Sequence, residues 1–105
     1  MTKEERIEIY NKAEKLWGTV AQYDQAIEEM GELIVAINKY KRKCLYGEFK
    51  SNPKVEDNLL EEIADVSMCL EQLRMFVGEE RVEKRLDEKM QKFLGQIKEM
   101  EKKDN

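Results

Sequence analysis

Glu29-Met30-Gly31-Glu32 and Glu62-Ile63-Ala64-Asp65 decide how this chain is read. Each motif lies inside an apolar helical repeat, and a hydrophilic break separates the two repeats. Residues three apart on a helix hold neighbouring positions of one face, so each motif sets two carboxylates side by side. Two such helices packed together bring four carboxylates to one place. Carboxylates a few ångströms apart in a partly buried site must take up protons, pair with Lys or Arg, or bind metal. The chain has no histidine and neither motif holds a thiol, so the donors are all oxygen. Such a set favours a hard ion, Mg²⁺ with Mn²⁺ as a substitute, over zinc. The competing reading is that these are ordinary solvated acids in a chain that is 40% charged.

Helical phase separates the two readings. Stepping about 100° per residue from Val66 places Leu59, Ile63, Leu70, Leu73 and Val77 on one stripe, and Glu62 falls within it. Asn58, Glu62 and Asp65 form a polar seam along that helix. In the earlier helix, centred on Met30, the stripe is Tyr23, Ala26, Ile27, Leu33, Ile34 and Ile37, with Gln22 and Glu29 at its edge and Glu32 one step further round. Glu28 and Glu61 point away on both wheels and read as surface charges.

The remainder of the chain is consistent with an all-α domain. Its 105 residues suit one domain, small enough that a partner subunit would help it bury surface. A single proline, sparse β-branched residues and abundant Ala, Leu, Glu, Lys, Met and Gln are a helical composition. A net charge of −4 with interspersed basic residues argues against a nucleic-acid surface. No apolar run approaches the roughly 18 residues needed to cross a bilayer, and the charged N-terminus has no signal-peptide core. The two cysteines, Cys44 and Cys69, are too far apart for a CxxC motif and read as free thiols in a reducing cytoplasm.

Four helices are expected in chain order. Thr2 caps the first, with Glu5 completing a capping box, and Gly18 ends it. Thr19 caps a second helix through Tyr40 and on toward Leu45, where Lys39, Lys41, Arg42 and Lys43 suit a helix C-terminus or supply a phosphate contact. Gly47 to Lys54 read as a loop, able to serve as a flap beside the acids. Glu56 or Asp57 opens the third helix, which stops at Gly78. The fourth carries Val82, Leu86, Met90, Phe93, Leu94, Ile97 and Met100 at spacings of three and four and frays after about residue 100. The expected architecture is a four-helix bundle.

With their flanks, Gly31-Glu32-Leu33 and Ala64-Asp65-Val66 included, the two motifs resemble the ExxE…ExxD signature of the MazG-like, all-α nucleoside triphosphate pyrophosphohydrolases. The resemblance covers the two middle helices. It implies an enzyme that cleaves a nucleoside triphosphate to the monophosphate and pyrophosphate, with Mg²⁺ held by Glu29, Glu32, Glu62 and Asp65, and it implies a homodimer or homotetramer. Such chemistry needs cations to offset phosphate charge more than it needs covalent help from the protein, and one of the four acids can act as base toward water. In that family a Lys and, four residues later, an Asn on the last helix assist at the phosphates. Lys89 matches the lysine, whereas Phe93 stands at the asparagine position, and Asn58 on the acidic seam can supply an amide instead. Trp17 and Gln22, in a Trp-Gly-x-x-x-Gln arrangement, look like residues of small phage and bacterial members, the ring to stack on a base and the amide to read its edge. Two other readings stay open: a noncatalytic helical assembly module whose acids pair across a subunit interface, and a phosphoribosyl-ATP pyrophosphohydrolase-like enzyme.

Overall fold

The computed structural model describes residues 1–46 and 50–104. Among them are four α-helices and no strand: α1 (Lys3–Trp17), α2 (Thr19–Tyr40), α3 (Pro53–Val77) and α4 (Glu79–Lys103). One π-helical turn, Lys41–Leu45, continues α2. None of these helices is long and apolar enough to cross a membrane. The chain divides into two compact units, Met1–Leu73 and Arg74–Asn105.

Capping chemistry sets most of the helix ends. The Thr2 hydroxyl accepts from the Glu5 N–H at 3.1 Å and the Glu5 carboxylate accepts from the Thr2 N–H at 3.0 Å, so two otherwise orphaned donors are satisfied. Gly18 ends α1 at φ +90°, a conformation that L side chains rarely adopt. Thr19 does not cap α2 as its sequence suggested. Its hydroxyl donates to Glu14 at 3.1 Å, and Gly18 occupies the cap position without a side-chain bond. Helix α3 opens at Pro53, earlier than Glu56 or Asp57, because Asn52 accepts from the Val55 N–H at 3.3 Å and proline is preorganised for the first helical position. Of the expected loop Gly47 to Lys54, residues 47–49 lie outside the described residues.

In the first unit α1 packs on α2, and α1 is fastened to α3 by a polar clasp. Arg6 donates to both Glu71 carboxylate oxygens, at 2.7 and 3.1 Å, and the buried Tyr10 hydroxyl donates to Glu71 at 2.6 Å. Burial, with the Glu71 hydrogen bond second, pushes the Tyr10 phenol up to about 12, while the Arg6 and Tyr10 hydrogen bonds hold Glu71 below the usual carboxylate value.

The buried face of each acid-bearing helix is rotated away from the expected stripe. On α2 the buried and half-buried positions are Gln22, Ala26, Glu29, Met30, Leu33, Ala36 and Tyr40, while Ile27 and Ile34 are exposed at 70% and 61%. On α3 they include Val55, Leu59, Glu62, Val66, Cys69 and Leu73, while Ile63 and Leu70 are exposed. With Met30 set aside, both series advance by four, three, four, three and four residues, and each has a glutamate as its third member. Glu29 and Glu62 are thus interior positions of their helices. Small residues make this possible: Ala26, Ala36, Cys44 and Cys69 are buried, where a short side chain lets neighbouring elements approach closely.

The second unit begins with the last turn of α3 and contains α4. Gly78 joins the helices at φ +112°. The Arg74 guanidinium spans the junction, donating to Glu79 at 3.1 Å and to Glu83, and Arg81 donates to the Val77 carbonyl at 3.1 Å.

Candidate functional site

Helices α2 and α3 bring three carboxylates together. Glu29, Glu32 and Glu62 each offer an oxygen within 4.8 Å of the others. Glu29 and Glu62 are half-buried and Glu32 is exposed, so the cluster has a closed side and an open side. Asp65, half-buried one turn after Glu62, lies outside that 4.8 Å group but near enough for its charge to act on both buried glutamates.

The chain relieves the electrostatics of the cluster only in part: Gln25 donates to Glu29 Oε1 at 2.8 Å. Glu29 Oε2 and Glu62 Oε2 are buried with no hydrogen-bond partner, a state that normally costs stability. Among the described residues no Lys or Arg forms an ion pair with any of the four acids. Burial raises the Glu29 carboxyl, helped by the charges of Glu32 and Asp65. Burial likewise raises Glu62, helped by Asp65 and Glu29. Cys69, buried on the same face of α3, is raised by burial and then by the charges of Glu29 and Asp65. An all-oxygen set with two unpartnered buried oxygens fits a hard divalent cation, which would neutralise the repulsion and complete both carboxylates.

A pH dependence follows. Raised carboxyls stabilise the fold fully below their ordinary value of 4.5 and lose that contribution as pH rises through the raised values. Glu71 runs the other way: its depressed value gives stability above 4.5 that is lost as pH falls through the depressed value. In chelator, the melting temperature of the wild-type chain is therefore expected to fall as pH rises from about 4.5. Glu29→Gln flattens that fall, and thermal denaturation across the pH range measures it.

Beside the cluster, α1, α2 and α3 line a half-open cavity of about 610 Å³, within the range of small-molecule sites. Trp17, Ile9, Ala13 and Met68 give it apolar walls, and Gln22, Gln25 and Gln72 supply amides. Trp17 is 68% exposed despite being the sole tryptophan. Gln72, buried, donates to the Gln22 carbonyl oxygen at 2.8 Å. Gln25 also lines this cavity and donates to Glu29 Oε1 at 2.8 Å, so one side chain touches both cavity and cluster.

The structure thus places Trp17 and Gln22 on one cavity and Glu29, Glu32 and Glu62 in one cluster. Asn58 is exposed on α3 one turn before Glu62, and Lys89 is exposed on α4 in the second unit. Glu28 and Glu61 are exposed, as their helical phase required. Gln25 and Gln72 were not singled out from the sequence. Gln25 had a legible signal, since it stands four residues before Glu29, where an amide and a carboxylate on one helix meet. Gln72 had none, because its partner comes from another helix.

No protein-family model, curated protein or solved structure gives a significant match to the chain.

Proposed function

We propose that the chain is a Mg²⁺-dependent nucleotide pyrophosphohydrolase of the MazG-like type, built as an oligomeric helical bundle, which releases the monophosphate and pyrophosphate from a nucleoside triphosphate. The observation that carries this reading is the pair of buried, unpartnered oxygens on Glu29 and Glu62, gathered with Glu32 and lying next to an apolar, amide-edged cavity. Glu29, Glu32 and Glu62, with Asp65 adding charge, would hold the cation, which supplies charge neutralisation for phosphate oxygens. The residues of the chain do the rest. Trp17 offers a face for a nucleobase, Gln22 and Gln72 offer an amide donor and acceptor for its edge, and the exposed Glu32 is open to accept a proton from an attacking water. Asn58, on the same unit as the acids, remains a candidate phosphate contact.

The test is release of pyrophosphate from a panel of nucleoside triphosphates, with and without Mg²⁺ or Mn²⁺. Cation-dependent release that drops by roughly 10³-fold in Glu32→Ala and in Glu62→Ala, with both variants folded, supports the reading. Absence of release from every nucleotide tested would discard it in favour of the noncatalytic assembly module.

The unburied apolar surface supports self-association. Ile27 and Ile34 on α2, Ile63 and Leu70 on α3, and Leu86, Met90, Phe93 and Ile97 on α4 are all exposed. Covering a large apolar side chain contributes about 1.5–3 kcal/mol each, and surface of this extent marks an interaction face. A homodimer or homotetramer built on these faces would complete the bundle. Ile34→Asp is expected to lower the molar mass seen by light scattering to that of the monomer, without removing helical circular dichroism.

A further inference from the structure

We infer that Gln25 is a positioning residue that couples occupancy of the apolar cavity to cation affinity at the acidic cluster. The inference rests on the nucleotide reading above and assigns a regulatory role to a residue between its two halves. Gln25 has one amide and two neighbours. Its N–H donates to Glu29 Oε1 at 2.8 Å, and its side chain forms part of the cavity wall along with Trp17, Gln22 and Gln72. The hydrogen bond fixes one oxygen of Glu29 and leaves the other, Oε2, as the buried and unpartnered atom of the cluster. Gln25 itself is exposed, so with the cavity empty little besides that bond restrains its amide. A base in the cavity that donates to the Gln25 carbonyl oxygen would lock the amide in the orientation that keeps its N–H on Glu29. Polarising the amide from one end also strengthens the hydrogen bond at the other. The carboxylate is then held ready for the cation before any phosphate arrives, and by linkage the cation must favour the base to the same degree.

Nucleosides isolate this coupling, because they lack phosphates and cannot touch the ion. Mn²⁺ affinity is read from the electron paramagnetic resonance signal of free Mn²⁺, on the full chain, with and without a saturating nucleoside chosen as the tightest binder of a panel. In the wild-type chain the nucleoside is expected to tighten Mn²⁺ binding about threefold to fivefold. In Gln25→Met, and in Gln25→Leu as a second variant, Mn²⁺ and the nucleoside each still bind, but the Mn²⁺ affinity is the same with and without nucleoside. A merely structural role for Gln25 would shift both Mn²⁺ affinities together and leave their ratio unchanged. Independent binding in the wild-type chain, or coupling that survives in both variants, overturns the inference while leaving the nucleotide reading intact. Failure of Mn²⁺ or of every nucleoside to bind the wild-type chain overturns both.

Discussion

In chelator, Glu62→Gln melts at a higher temperature than the wild-type chain, and unlike the wild type it gains nothing from added Mg²⁺ or Mn²⁺. The first half of this result follows from a carboxylate oxygen that is buried without a partner and repelled by Asp65 and Glu29. Replacing it by an amide removes the charge and brings an N–H donor to a cluster in which Glu29 Oε2 has no partner. The second half follows from linkage: a cation that binds only the folded state, at a hundred times its Kd, adds about 2.7 kcal/mol. For a domain of this size that is roughly 10–20 °C in melting temperature. The wild-type chain should show this gain and the variant should not. A variant that melts lower in chelator and still responds to cation would mean that Glu62 is held by neighbours rather than waiting for an ion.

Glu71→Ala is expected to destabilise the chain by about 2–3 kcal/mol, roughly 10–20 °C. Three hydrogen bonds from α1 converge on this carboxylate, and the costliest loss is at Tyr10, whose buried hydroxyl is left without an acceptor. Arg6 is partly solvated and contributes less. Tyr10→Phe removes the donor and its need together, so it should cost about 1 kcal/mol or less. The contrast between these variants is the diagnostic, because a purely electrostatic clasp would make Arg6→Ala as damaging as Glu71→Ala. Since α1 carries Trp17 and the cavity wall, Glu71→Ala should also weaken nucleoside binding while sparing cation binding by α2 and α3. Calorimetric melts together with Mn²⁺ titration of the same variants measure both effects.

The parts of this molecule that were legible in its sequence are those governed by local chemistry. Thr2 with Glu5 and the glycines at 18 and 78 each work within a turn or two of helix and lie where their patterns place them, while the three-residue spacing of the acids gathers Glu29, Glu32 and Glu62 but leaves Asp65 outside the group. The rotation of the buried face was not legible. A hydrophobic wheel centres on the largest apolar residues and assumes that the same chain covers them, whereas Ile27, Ile34, Ile63 and Leu70 are exposed and Ala26, Ala36 and Cys69 are inside. Glu62 already falls on its stripe; counting Gln22 and Glu29 as interior members too recovers the correct face of α2, but composition alone argues against doing so. The start of α3 was misplaced because Asn52 and Pro53 resemble loop residues when their capping roles are ignored. The place of Gln72 in the cavity depends on its bond to Gln22, a contact between helices that no spacing within one helix encodes.

A divalent-cation site at Glu29, Glu32 and Glu62 is open to direct observation by anomalous X-ray scattering from crystals grown with Mn²⁺. The expected result is a Mn²⁺ peak among these three carboxylates, with Glu29 Oε2 and Glu62 Oε2 turned toward it, and loss of that peak in Glu62→Gln. Crystals that hold no Mn²⁺ there at saturating concentration, with the carboxylates protonated or paired to a basic side chain instead, would contradict it.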